Sequence, residues 1–193
     1  MKLGRLLLRL GVGGLFFAHG TQKLNGWFDG HGLDATANMF ESIGLRPGRR
    51  NAIAAGAAEA GGGGALALGF ATPFAAAALI GTMLTAIQRV HFKNGPWNTN
   101  QGYEFNLVLI LAAATVAELG PGPVSLDHLL GTEKSGAGWG LAALALGGAG
   151  AAAVHQLAGS SPSAPVQQAP EAATAAADAP AEPAEAAEPA AVR

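Results

Sequence analysis

Residues 60–88 read AGGGGALALGFATPFAAAALIGTMLTAIQ, and these 29 residues contain no charged side chain. A membrane-spanning helix needs about 20 apolar residues, so the run is too long for a single crossing. It is interrupted at Ala71-Thr72-Pro73, where Thr72 can cap a helix and Pro73 fits a first helical turn. The stretch therefore predicts two membrane helices joined as a tight hairpin.

Further apolar windows extend this pattern along the chain. Of its 193 residues, 50% are hydrophobic and 12% charged, whereas about a quarter of the residues of a soluble domain carry charge. We expect an all-α fold, a polytopic membrane four-helix bundle with a fifth transmembrane helix. The windows are residues 3–22, 51–70, 73–88, 105–119 and 137–158.

The chain divides into three parts by composition. We expect a four-helix membrane domain over residues 1–131, an additional transmembrane helix over 132–158 and a disordered tail over 159–193, which is rich in Ala, Pro and Glu. The first window also has features of a signal peptide, but Arg9 lies inside it and no clean cleavage site follows. A retained first helix is favoured, which gives a multi-pass protein of the plasma membrane.

Small residues recur along the first three membrane helices at spacings that let helix backbones approach closely. We expect them at the helix contacts, and we expect the run Gly61–Gly64 to mark either a very close contact or a local break in the helix. The residues are Gly4, Gly11, Gly14 and Ala18, then Gly56, Ala60 and Gly64, then Ala77, Gly81 and Thr85.

Polar side chains of four helices are expected at one side of the membrane, because successive crossings alternate in direction. Glu59 lies about 12 Å along the second helix, at 1.5 Å per residue, and so falls within the hydrocarbon region. A carboxylate there needs a partner or a proton. Its expected partners are Lys23, His19 and Arg89, while Glu104 is expected to pair with Arg89 or His91 at the rim.

The other polar features have structural interpretations. Arg5, Arg9 and Glu118 are expected as interface anchors on the opposite side. A short helix is expected near residues 33–44, capped by Asp34 and ended by Gly44. It is expected to lie on the membrane interface, to cover the mouth of the bundle or to form a surface loop.

Several function classes are disfavoured. The chain has no cysteine, so any sulfur chemistry needs a partner or a small molecule to supply the sulfur. The five histidines lack the spacing of a metal site, and no nucleotide-binding or hydrolase motif is present. The formal net charge is −2, without a dense basic block, so nucleic acid is not expected as a partner.

The ordered motifs resemble the DoxX family of small four-helix membrane proteins. They cover about residues 3–131 and comprise LLRLG and FFAHGTQKL in the first helix, Ala58-Glu59 in the second, VHFKNG after the third and Gly102-Tyr103-Glu104 before the fourth. The resemblance implies links to sulfur or thiol redox chemistry. Relatives include a membrane subunit of a thiosulfate:quinone oxidoreductase and a mycobacterial component that assembles with a sulfurtransferase and a superoxide dismutase.

Residues and resemblance together lead to one hypothesis, a membrane component of a redox-linked complex. In it, His19 and Glu59 relay protons, Lys23 contacts an anion such as thiosulfate or a quinone oxygen, and Arg89, His91 and Glu104 bind substrate. No cofactor motif lies in the chain, and a bound quinone is the candidate redox ligand. The expected partners are the lipid membrane and either a soluble redox enzyme or a second membrane subunit. A non-catalytic scaffold for soluble redox enzymes and a small-solute or proton carrier remain alternatives.

Overall fold

The computed structural model describes residues 3–158, and throughout this range the regular secondary structure is helical. The tail that was expected to be disordered, residues 159–193, lies outside the described residues. A π-helical turn, Ile87–His91, and a 3-10 turn, Phe92–Asn94, extend the fourth helix, and a second 3-10 turn spans Asn98–Asn100. The α-helices are α1 (Leu3–Asn25), α2 (Gly32–Ser42), α3 (Gly48–Leu68), α4 (Thr72–Ala86), α5 (Glu104–Leu119), α6 (Leu126–Leu130) and α7 (Ala137–Leu157).

Four long helices form a closed bundle in which α1 packs against α3, α3 against α4, α4 against α5 and α5 against α1. The fifth long helix, α7, packs against α4 and α5, and the short α2 packs over α1 and α3. Leu66, Leu79, Ile80 and Val116, which come from α3, α4 and α5, are fully buried between the helices. The five expected windows thus correspond to α1, α3, α4, α5 and α7.

Two helices among the described residues are long and apolar enough by themselves to cross a membrane, Thr72–Asn94 and Ala137–Leu157. The other long helices are either less apolar or shorter. α1 carries Arg5, Arg9 and Lys23, α3 carries charges and a run of glycines, and α5 has only 16 residues.

The hairpin between α3 and α4 forms as predicted, but its capping differs. Gly69 ends α3 in the left-handed region with φ +65°, and Pro73 lies in the first turn of α4. Thr72 was expected to cap α4 and does not. It is the first residue of the helix, and its hydroxyl donates to Asp127 Oδ2 at 2.8 Å. A carboxylate from a distant segment therefore replaces the local cap.

Asp127, in α6, joins the loop before α7 to the start of α4. Its side chain accepts the backbone N–H groups of Ala71 at 2.9 Å and Thr72 at 3.1 Å, together with the hydroxyls of Thr72 and Thr132. Burial alone raises the pKa of Asp127, but these hydrogen bonds outweigh burial, so the pKa lies below its ordinary value. The carboxylate is thus held ionised at the N-terminus of a helix, where negative charge is stabilising.

This arrangement predicts a pH dependence of stability. A lowered pKa in the folded state stabilises the fold above the pKa of the unfolded chain, about 3.9, and this contribution is lost as the pH falls through the folded value. The difference in melting temperature between wild type and Asp127→Asn should therefore be largest near neutral pH and shrink below about pH 4. As a control, Asp34→Asn should change little, because that side chain is 88% exposed. A wild-type advantage that persists unchanged at pH 3 would contradict the prediction.

Arg9, expected as an interface anchor, is instead buried, with 2% of its surface exposed. Its Nε donates to the carbonyl of Ala67 at 3.1 Å, and its two Nη groups donate to the carbonyls of Pro121 and Val124. The expectation was wrong because the loop after α5 folds back over the end of α1 and presents carbonyl oxygens that no sequence spacing reveals. Arg9 therefore holds α1, α3 and this loop together.

The contact between α1 and α3 depends on glycine, but not on the glycines expected in α1. A Cβ added to Gly4, Gly11 or Gly14 would meet nothing within 4 Å, whereas one at Gly13 would lie 2.5 Å from the backbone nitrogen of Ala67. Gly63, in α3, faces the backbone of Phe17 as closely. The run of four glycines therefore marks a close contact inside a continuous helix. In α1 the expected glycine was thus one residue away from Gly13, whereas Gly56 and Ala60 of α3 do lie against α1 as expected.

The glycine run contains its own control for a stability test. Gly63→Ala should lower the free energy of unfolding by about 1–3 kcal/mol, because its methyl group would overlap the backbone of α1. Gly61→Ala should leave stability unchanged or raise it by up to about 1 kcal/mol, because its Cβ would meet nothing within 4 Å and alanine favours the helix. Thermal melts of the two variants in one detergent make the comparison, and equal effects would show that Gly63 is not a contact residue.

Candidate functional site

A cavity of about 730 Å³ lies within the helical assembly, with walls contributed by α1, α2, α3, α4, α5 and α7. Most of its lining is apolar, with many alanines and glycines. The charged and polar side chains among the lining residues include His19, Lys23, Glu59, Arg89, His91 and Asn106.

Glu59 and Lys23 form an ion pair at this cavity, in which Lys23 Nζ donates to Glu59 Oε2. The Glu59 side chain is 5% exposed and that of Lys23 is 25% exposed. The close packing of α1 on α3 brings the two residues together, because Gly20, one turn before Lys23, lies against the backbone of Ala60. Of the three partners expected for Glu59, the structure thus selects Lys23, which offsets the cost of burying the carboxylate.

Arg89 and His91 lie on the π-helical turn Ile87–His91. His91 Nδ1 lies 2.8 Å from the carbonyl oxygen of Gln101 and acts as the donor, since a carbonyl can only accept. Arg89 Nη2 donates to the carbonyl of His155, in α7, at 3.3 Å. Arg89 Nε is buried and has no hydrogen-bond partner among the described residues. A buried donor without an acceptor is costly, and in a native structure such a group calls for a partner such as a water molecule or an ion.

Two predicted site residues are placed differently from expectation. His19 lines the cavity but is exposed. Within residues 3–158 its ring makes no hydrogen bond, and it forms no ion pair with Glu59. Glu104 does not line the cavity and forms no ion pair with Arg89 or His91. The pairing expected for Glu104 was wrong. The segment from Gly95 to Tyr103 separates the end of α4 from the start of α5, and its backbone groups hydrogen-bond to one another.

Asn106 belongs to the site by position, although it was not among the expected site residues. It is 7% exposed, lines the cavity and donates from Nδ2 to the sulfur of Met83 at 3.4 Å. A polar amide in the first turns of an apolar helix was the available signal. A weak sulfur acceptor leaves most of the hydrogen-bonding capacity of this amide for other groups.

The segment expected as a short helix or a surface loop forms the helix α2, which covers the cavity. Phe40 and Ile43 are buried and line the cavity, and Met39 lines it while remaining 43% exposed. Gly44 follows the helix with φ +79°, as expected for a terminator. Asp34 is not the cap, since His31 precedes the helix and Asp34 instead pairs with Arg49 of α3.

The arrangement combines a compensated ion pair, an arginine with a free donor and two imidazoles around an apolar space. Such groups can hold a ligand oxygen and move protons. Within the described part of the chain, no group of three or more His, Asp or Glu side chains is placed to hold a metal ion.

Comparisons with known proteins match a large part of the region that forms this site. The family described as DoxX matches residues 4–92, which run from α1 to the extension of α4. The protein named "Putative oxidoreductase CatD" of Bacillus subtilis (strain 168) is 33% identical over 126 residues, which cover 65% of this chain and 86% of that protein. No solved structure matches this chain.

Proposed function

Because this chain belongs to the DoxX family of membrane proteins, we propose that it is a multi-pass plasma-membrane component of a redox-linked complex and that the cavity is its reaction site. The relative from Bacillus subtilis bears the name of an oxidoreductase, which supports a redox role. In the proposal, a quinone binds in the cavity, and thiosulfate or a thiol supplies the electrons through a partner enzyme or a second subunit.

Five crossings follow from the proposal. The helices α1, α3, α4 with its extension, α5 and α7 span the bilayer, and the large apolar side chains exposed on their surfaces face lipid. Leu7 and Leu15 of α1, Leu111 of α5 and Leu141 of α7 are each more than half exposed. Water would leave these side chains unfavourably solvated, whereas acyl chains solvate them.

The observation that carries the proposal is the buried Lys23–Glu59 pair beside an apolar cavity. Ionisable groups inside membrane proteins are expensive and are typically found on ion, proton or substrate pathways. A pair that served only to join α1 to α3 would not need a cavity next to it, and the packing of Gly13, Gly20 and Gly63 already joins these helices.

The chemistry assigns a task to each group. A quinone that gains two electrons must also gain two protons to become a quinol, and Glu59 with His19 would supply them by relay. Since the chain has no cysteine, the electrons pass between bound substrates or through another subunit. Lys23 is already bonded to Glu59, so its role is to hold the carboxylate in place until the proton moves.

Replacement of Glu59 by glutamine tests this function, because an amide keeps the shape but cannot relay a proton. We expect quinone reduction to fall by about 100-fold, the range for a lost general acid–base group. The assay follows the reduction of a decyl-substituted quinone by thiosulfate in native membranes that contain equal amounts of each variant.

Glu118→Gln is the matched control, since Glu118 is an exposed carboxylate in α5 and does not line the cavity. Unchanged quinone reduction by Glu59→Gln at normal abundance would rule out the proposed role. Copurification of redox enzymes without any turnover would favour a scaffold, and solute flux into liposomes that contain this chain alone would favour a carrier.

A further inference from the structure

We propose that the cavity binds a single-chain lipophile whose acceptor oxygen meets the guanidinium group of Arg89 and whose apolar chain lies along a slot lined by small residues of α3, α4 and α7. The class comprises a quinone with an apolar tail and a long-chain carboxylate, which share an oxygen head and a chain. The inference concerns binding, and it does not depend on electron transfer.

The slot is the part of the cavity bounded by small side chains. α3 contributes Ala54 and Ala58, α4 contributes Ala78, and α7 contributes Gly150, all of which line the cavity. Small side chains at these positions leave apolar space in the cavity instead of filling it. A flexible hydrocarbon chain can occupy such a space, whereas a small hydrophilic dianion such as thiosulfate would lose its hydration there without compensation.

The charges at the cavity indicate that Arg89 binds the oxygen-containing head of the ligand. The charge of Lys23 is compensated by Glu59, while Arg89 has no carboxylate partner among residues 3–158. Its side chain makes one hydrogen bond among these residues, from Nη2 to the carbonyl of His155 in an exposed setting, which leaves other Nη–H donors for a ligand. A carbonyl or carboxylate oxygen would accept from them, and hydrogen bonds to charged donors are the stronger kind.

The lining of the cavity continues onto the outer apolar surface, which gives such a ligand a route from the bilayer. Met39 of α2 and Leu146 of α7 both line the cavity and are 43% and 50% exposed. Ala54 and Gly150, on either side of the slot, are also exposed. An apolar chain can therefore enter sideways from lipid without crossing a polar surface.

Two glycines of α7 provide a matched pair for the test. An added Cβ meets nothing within 4 Å at either Gly150 or Gly148, but only Gly150 lines the cavity. Gly150→Leu places a bulky side chain at the slot, and Gly148→Leu makes the same change outside it. Both variants should fold, because at neither position does the added Cβ meet an atom within 4 Å.

Binding is measured on the purified full-length chain in nanodiscs without reductant, with two probes, a decyl-substituted benzoquinone and a fluorescent long-chain carboxylate. We expect at least one probe to bind wild type, and Gly150→Leu to raise its Kd about tenfold or more while Gly148→Leu leaves it within about twofold. Arg89→Gln should raise the Kd about tenfold, the loss expected for one hydrogen bond to a charged group.

The probe that binds identifies the source of the ligand, and binding of either one supports the inference. Failure of both probes to bind, equal effects of the two leucine variants, or an unchanged Kd in Arg89→Gln would overturn it. Normal binding with no quinone reduction by any preparation would leave this inference standing and count against the proposed function. Quinone reduction that survives Gly150→Leu and Arg89→Gln would count against this inference and leave the proposed function standing.

Discussion

Lys23→Met is expected to lower the free energy of unfolding by about 3 kcal/mol, because it leaves the carboxylate of Glu59 buried and uncompensated. The Glu59 side chain is only 5% exposed and therefore has little access to water. Glu59→Gln should cost less, since Lys23 is 25% exposed and its long side chain can extend towards solvent. The two single variants should therefore be unequal.

The double variant Lys23→Met, Glu59→Gln completes the cycle. Removal of both charges should recover most of the stability lost in Lys23→Met, because buried ion pairs contribute little beyond a neutral pair of similar volume. Unfolding midpoints in one mild detergent provide the four values. Additive effects of the two single changes would mean that the residues do not interact in the folded protein.

Arg9→Met is expected to destabilise the opposite end of the bundle by about 3 kcal/mol or more. The change removes three hydrogen bonds and leaves the carbonyls of Ala67, Pro121 and Val124 without this donor, each at a cost of about 1 kcal/mol or more. Methionine fills a similar volume, so the loss reports on hydrogen bonding more than on packing. The measurement is again the unfolding midpoint.

Arg5→Met is the control for Arg9→Met. Arg5 lies one turn earlier on α1 and makes one hydrogen bond, to the carbonyl of Leu119 at 2.9 Å, in an exposed setting. Its replacement should cost less than about 1 kcal/mol. Losses of similar size in the two variants would show that the buried position of Arg9 has no special importance for the fold.

The sequence predicted the helical class and the positions of the long helices well, because membrane helices are specified by local composition. The uncharged run of residues 60–88 and Pro73 were enough to define the α3–α4 hairpin. Residues that share an end of the assembly were also predictable, since the alternating directions of α1, α3 and α4 bring Lys23, Glu59 and Arg89 to the same end. That inference used chain direction and helix length alone.

What the sequence did not predict depends on contacts between distant segments. The role of Asp127 requires the N–H groups of Ala71 and Thr72, 55 and more residues away. Gly13, the glycine of α1 that packs, was missed because a shift of one residue turns a helix by about 100°, and local spacing does not show which face meets the neighbour. The isolation of Glu104 from Arg89 depends on loop hydrogen bonds that no spacing rule describes.

The π-helical turn Ile87–His91 has a consequence for how such a site can arise. One residue inserted into a helix rotates everything after it by about 100° relative to an uninterrupted helix. Such an insertion leaves the packing of α4 up to Ala86 unchanged, but it changes the direction in which the side chains of Arg89 and His91 point. One residue inserted at the end of a packed helix is thus enough to redirect the guanidinium of Arg89 and the imidazole of His91 while the rest of the fold stays the same.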